Sequence, residues 1–287
     1  MTSSLDSLRA YLGSNGHASR WAPTPGVLVV GSGKGGVGTS TISALLALVA
    51  AQDGRRVLLV DADEGLGSLH FLFGLSDTGP GIGSLRGGEL TPADLVRPVT
   101  ESLWLLPGGG GEVESTLSFG LGERRALLRR ISDLYPFYDL VVVDGGSHMA
   151  SVLAACSAGA ERLLALTAPD RVSMAATYAL LKVSRERFPS LPLEILVNQG
   201  DGVSAEEVFR LMSMAGRRFL GLNVAFGGAI PRDVSLETGA GADGSVLDLS
   251  PSSPALNALG VINGRLVSEQ AEETGPTTGV LAFPASG

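Results

Sequence analysis

Val27–Thr41, VLVVGSGKGGVGTST, sets an apolar run, a glycine-rich turn and a hydroxyl-bearing helix start in direct succession. The run Val27–Val30 reads as a strand buried on both faces, and Ile42–Ala51 reads as a buried helix. Between them, glycine lets the backbone approach a ligand closely and turn successive N–H groups inward, and the helix start adds the positive end of its dipole. This is the anatomy of a phosphate-binding loop. Gly33, Lys34, Gly35, Gly36, Val37 and Gly38 form the turn, and Thr39, Ser40 and Thr41 open the helix. Ser40 stands where such loops place a hydroxyl on Mg2+. One expected residue is replaced. In the pattern G-x-x-x-x-G-K-[ST] laid from Gly33, Thr39 occupies the lysine position.

The rest of the chain agrees with one large α/β unit. Its 287 residues are enough to bury a substantial core. A formal net charge of −8, without a long basic run, argues against nucleic acid as the main partner. The single Cys156 forbids an internal disulfide and suits a reducing cytoplasm. No secretory pattern opens the chain, and the apolar stretch Ile42–Ala51 is too short to span a bilayer. Residues 1–25 read as an appendage, a short helix over Leu5–Leu12 followed by a Gly/Ser/Pro-containing linker. From Gly26 to Val267, apolar strands alternate with helical segments. Strands are predicted near 27–31, 56–61, 102–106, 139–144, 162–167, 193–198 and 224–230, and helices near 39–52, 121–135, 170–188 and 204–219. That alternation predicts a single P-loop NTPase domain with a mostly parallel, helix-covered sheet of about seven strands. Residues 74–92 and 107–122 read as loops, and Pro107–Gly111 is either a loop beside the site or a surface turn. Pro254–Val267 carries Leu256, Leu259, Ile262 and Leu266 along one side, which predicts a helix packed on the domain. Residues 268–287 are Pro/Gly/Thr-rich with acidic residues and are expected to be disordered.

Ligands in such sheets bind at the carboxyl ends of the strands, and the remaining polar motifs fall there. Val57–Asp63 ends in Asp61 and Asp63, two carboxylates at i and i+2 that a strand would point the same way. One can orient metal-bound water and the other can position an attacking water. Tyr138–Asp144 is a second apolar strand ending in an acid, and Asp144 is a further Mg2+ candidate, followed by Gly145 and Gly146. Leu193–Asn198 ends in an amide whose donor and acceptor suit the edge of an adenine, or a plain turn. The histidines, His17, His70 and His148, show no metal-ligand spacing.

With these residues in place, Lys34–Ser40, KGGVGTS, resembles the deviant Walker A loop of the MinD/ParA ATPases, whose signature lysine is kept as Lys34. The likeness runs from Gly26 to Val267. Asp61–Gly74 and Leu166–Lys182 are similar to segments of the FlhG/FleN branch, the regulators of flagellar number and placement, as are Pro231–Ser235 and the Ser253-Pro-Ala run. The chain departs from that branch at Thr39, Ser68 and His70, and the spelling GVGTST is shared with the CpaE/TadZ pilus-localisation branch. The resemblance implies ATP or ADP with Mg2+ as ligands. Nucleotide contacts then fall to residues 33–41, Asn198 and Pro231, metal contacts to Ser40, Asp61 and Asp144, and catalytic roles to Lys34 and Asp63. It implies an ATP-dependent homodimer in which Lys34 reaches the partner's nucleotide, and a flagellar or pilus partner such as an FlhF-like GTPase. It also implies peripheral contact with the inner face of the plasma membrane. That contact is expected to be weak, because the C-terminal helix offers only Arg265. Without a lysine at position 39, hydrolysis is expected to be slow or absent. A non-hydrolysing localisation scaffold for pilus assembly is the alternative.

Overall fold

The computed structural model describes residues 26–63, 67–76, 79–109, 119–237 and 245–273, with residues 271–273 as backbone only. The expected helix and linker of residues 1–25 and the tail beyond residue 273 lie outside them. Eight strands form one sheet in the order β3-β4-β2-β5-β1-β6-β7-β8. They are β1 (Gly26–Ser32), β2 (Val57–Asp61), β3 (Arg97–Pro98), β4 (Leu103–Leu106), β5 (Leu140–Asp144), β6 (Arg162–Thr167), β7 (Leu193–Asn198) and β8 (Ala225–Ile230). All pairings are parallel except that of β3 with β4. The seven expected strands are present. The eighth, β3, is a two-residue antiparallel edge too short to carry a periodicity.

Six longer helices cover the sheet: α1 (Thr39–Gln52), α2 (Leu121–Ile131), α3 (Met149–Cys156), α4 (Arg171–Arg187), α5 (Gly202–Leu220) and α6 (Pro254–Glu273). Residues of α1 and α6 share one apolar core with one face of the sheet, and residues of α2 to α5 share another with the opposite face. This explains why α1 has no polar side. The sheet lies beneath it and α6 above it, so Ile42 to Ala51 are all buried. The predicted helix over 121–135 is α2 followed by a 3-10 segment, Ser132–Phe137, because Pro136 cannot continue an α-helix. Helix α3 was not anticipated. Its sequence MASVLAAC is almost wholly small or apolar, and six of its eight residues are buried, so it shows no amphipathic period.

Helix α6 packs on the domain as expected and continues to Glu273, beyond the predicted end at Val267. Its one cation near that end is committed to the domain. Arg265 donates to Glu194 at 2.7 Å, to Glu269 at 2.9 Å and to the Gly227 carbonyl at 3.0 Å. Arg162 joins both carboxylates, and Asn263 reaches Asp53 at 2.7 Å. No helix among the described residues is long and apolar enough to cross a membrane.

Candidate functional site

Three parallel strands bring the predicted residues together. Strand β1 lies between β5 and β6, and β2 lies on the far side of β5, so the loops after β1, β2 and β5 share one end of the sheet. The β1 loop holds Gly33 to Gly38. Gly36 and Gly38 have φ of 80° and 89°, values that favour glycine, and Gly38 is the N-cap of α1. Gly33 lies so close to α4 that a Cβ there would come within 2.1 Å of the Ala176 carbonyl oxygen. Lys34, Gly35 and Gly36 are exposed on the outer rim, while Val37 and Thr39 are buried and Ser40 and Thr41 are half-buried.

The carboxylates are arranged differently from the sequence expectation. Strand β2 ends at Asp61, so strand alternation does not extend to Asp63. Asp63 instead donates its backbone N–H to Asp61 Oδ1 at 3.0 Å, and Leu69 N–H donates to Asp61 Oδ2 at 3.2 Å. The true neighbour of Asp61 is Asp144, its register partner on β5. Both are buried, at 3% and 2% exposure. Burial first, and Asp144 second, push the Asp61 carboxyl up to about 8. Burial also raises Asp144, against hydrogen bonds from Ser40, Gly146 N–H and Ser43 that favour its charged form. Two buried acids side by side are a costly arrangement that a cation would relieve. Among the described residues, no group of three or more His, Cys, Asp or Glu could hold a metal alone. Two carboxylates and the Ser40 hydroxyl fit Mg2+ that keeps waters and arrives with phosphate.

A cavity of about 120 Å³ opens beside the helix start, lined in part by Gly38, Thr41, Asn198, Gln199 and Pro231. Asn198 and Pro231 therefore stand together here, at the ends of β7 and β8. The Asn198 amide also shapes the loop, since Nδ2 donates to the Val37 carbonyl at 2.8 Å and Oδ1 accepts from Gln199 N–H at 3.0 Å. Gln199 is the one non-glycine among the described residues with positive φ, 60°, a small backbone strain kept at the cavity wall.

Sequence reasoning missed three parts of this constellation and left a fourth open. Ser32 ends β1 beneath the loop, and Ser43 stands one helical turn after Thr39; the first is a hydroxyl within the opening stretch and the second lies two residues beyond it. Asp170 caps α4 by accepting from Val172 and Ser173 N–H, and lies 3.9 Å from Lys34 Nζ. The fourth is the loop after β4. A Cβ on Gly108 would lie 2.1 Å from the Asp63 carbonyl oxygen and 2.9 Å from the Asp61 carboxyl carbon. Pro107, Gly108 and Gly109 are buried, so at least this part of Pro107–Gly111 is a wall of the site and no surface turn. Gly108→Ala is expected to cost roughly 1–3 kcal/mol by overpacking against backbone. An unchanged melting temperature would contradict this packing.

Comparison with known proteins agrees with the geometry. The pattern of CbiA, the CobQ/CobB/MinD/ParA nucleotide binding domain, matches residues 28–243. The antiactivator FleN of Pseudomonas aeruginosa is 27% identical over 231 residues, covering 80% of this chain and 81% of that protein. The flagellum site-determining protein YlxH of Helicobacter pylori is 27% identical over 264 residues, covering 91% and 86%. In fold, the chain matches the septum site-determining protein MinD of Pyrococcus horikoshii, solved with Mg-ADP, at a TM-score of 0.69 and 18% identity. That match covers 88% of this chain and 100% of that one. A nucleotide-type loop, a paired-carboxylate strand end and this sheet order occur together because the chain belongs to the CobQ/CobB/MinD/ParA nucleotide-binding family.

Proposed function

We propose that the protein is an ATP-binding switch of the MinD/FlhG type that regulates the number or placement of flagella. The observation that carries the nucleotide part is the convergence of the glycine loop, Ser40, Asp61 and Asp144 at one strand end, beside a cavity lined by Gly38, Thr41, Asn198 and Pro231. The flagellar part rests on the likeness to FleN and YlxH along most of the chain. In this reading the loop N–H groups and the α1 dipole hold phosphates, and Ser40 with Asp61 and Asp144 holds Mg2+. The cavity takes the base, and Asp63 positions water. Lys34 serves the partner's nucleotide in a homodimer. Its exposure on the rim supports that role, as do Val172, Val203 and Val234, which are 64%, 79% and 66% exposed and follow the carboxyl ends of β6, β7 and β8. A flagellar GTPase is the class of partner expected for the switch. Peripheral membrane contact in this reading does not use Arg265 of α6, which is paired within the domain.

Turnover is proposed to be slow, because Thr39 presents no cation to the phosphates. Steady-state ATPase measured beside Asp63→Ala tests this. Slow activity that is lost in the variant supports the switch, and activity equal in both contradicts the role of Asp63. One observation favours a second reading, a non-hydrolysing pilus-localisation scaffold: the loop spelling GVGTST itself. No turnover in either protein, with a dimer that ignores nucleotide in sedimentation, would select the scaffold.

A further inference from the structure

Thr39 is more than a missing lysine. Its side chain is buried at the base of the loop, where Oγ1 donates to Ser32 Oγ at 2.8 Å. Ser32 Oγ in turn donates to the Lys34 carbonyl at 3.0 Å, with the Gly146 carbonyl at 3.4 Å as a second acceptor. The backbone extends the link, since Ser32 N–H donates to Gly146 O at 2.9 Å and Gly145 N–H to Val30 O at 2.8 Å. From the other end of the same residue, Ser43 Oγ lies 2.9 Å from Thr39 O and 3.2 Å from Asp144 Oδ1. Gly146 N–H donates to that same carboxylate oxygen at 3.1 Å. One short hydroxyl-to-backbone network therefore ties the first turn of α1, the rising limb of the glycine loop and the Asp144–Gly146 loop.

We propose that Thr39 is a positioning residue whose hydroxyl, hooked on Ser32, holds the glycine loop and the Asp144–Gly146 loop in one preformed arrangement before any nucleotide arrives. The physical need is clear. Residues 33–38 contain four glycines, and a chain of glycines loses more freedom on ordering than any other. A loop ordered in advance does not meet that cost on binding. A lysine at position 39 would bring charge to the phosphates but could not make this bond to Ser32. Thr39 in effect exchanges charge for rigidity. The link also couples the two loops, because displacement of Gly146 pulls directly on Ser32. The proposal deepens the nucleotide-binding reading, but its first test needs no nucleotide.

Amide hydrogen exchange on the nucleotide-free protein is compared for wild type, Thr39→Val, Thr39→Ser and Ser32→Ala. Thr39→Val keeps the shape and removes the hydroxyl, and is expected to speed exchange about tenfold or more in both Gly33–Gly38 and Gly145–Ser147. Strand amides of β1 and β5 should stay protected, which shows that the fold persists. Thr39→Ser should restore wild-type rates, and Ser32→Ala, which also removes the bonds to the Lys34 and Gly146 carbonyls, should exchange at least as fast as Thr39→Val in both loops. The double variant should be no faster than Ser32→Ala alone, because the Thr39 hydroxyl acts only through Ser32. With Mg-ADP as the probe, Thr39→Val is expected to bind about tenfold more weakly, and Thr39→Ser within about twofold of wild type. Unchanged exchange in Thr39→Val, or acceleration confined to the α1 turn with Gly145–Ser147 unaffected, overturns the proposal. Failure of wild type to bind Mg-ADP would count against the nucleotide reading, while the exchange comparison would still decide the positioning role.

Discussion

Thr39→Lys is expected to tighten ATP binding by about tenfold. A hydrogen bond to a charged group contributes about 1.5–3 kcal/mol, and the lost Thr39–Ser32 bond takes back about 1 kcal/mol, so the net gain is near one decade in Kd. The lysine has to leave the buried pocket of Thr39 and run outward over the loop, so the nucleotide-free variant should also melt lower than wild type. These opposite signs, tighter binding and lower apo stability, identify the mechanism. Calorimetric titration and thermal melts on the same preparation read both. A folded variant that binds ATP no better than wild type would show that position 39 does not face the phosphates.

Asp144→Asn is expected to stabilise the metal-free protein while removing the dependence of nucleotide binding on Mg2+. In the folded chain, the Asp61 carboxyl is raised from 3.8 to about 8 by burial and by Asp144. Below about pH 4 Asp61 is protonated in both folded and unfolded chains, and the shift has no effect. As pH rises toward 8, the unfolded chain ionises Asp61 while the folded chain resists, so stability falls across that window. Asparagine at 144 keeps an oxygen for Ser43 Oγ and Gly146 N–H and sets a neutral amide beside Asp61. The expected gain at pH 8 is roughly 1–4 kcal/mol. For a domain of this size that raises Tm by about 2–4 °C per kcal/mol. The pH slope between 4 and 8 should flatten. Loss of Tm at pH 8 in the variant would show that the carboxylate pair is not under strain. Stability kept below its optimum at a binding site is the usual sign of a group reserved for a ligand.

Much of this was legible in the sequence because the strongest signals are local. The stretch Val27–Thr41 carries strand, turn and helix start within fifteen residues, and each boundary is set by glycine or hydroxyl chemistry. The strands ending in Asp61, Asp144 and Asn198 were visible because central parallel strands are continuous apolar runs. What was hidden depended on three-dimensional neighbours. The partner of Asp61 is a residue on a strand far along the chain, and only the insertion of β5 between β1 and β2 makes them adjacent. The wall formed by Gly108 could not be told from a surface turn, because glycine serves both uses. Helix α3 lacked a period because it is buried nearly all round. Charge segregation was hidden too. Helices α2, α4 and α5 carry eleven Lys and Arg against four Glu, so the helical layer on that face is basic within an acidic chain.

The glycine loop without its lysine is expected still to bind nucleotide, because backbone, α1 dipole, Ser40 and the Asp61–Asp144 pair remain in place. Isothermal calorimetry with ATP and with ADP, each with and without Mg2+, tests it most directly. Saturable binding of either nucleotide that strengthens with Mg2+ and is lost in Ser40→Ala is the predicted result. No heat of binding at millimolar nucleotide with Mg2+ present would contradict the account.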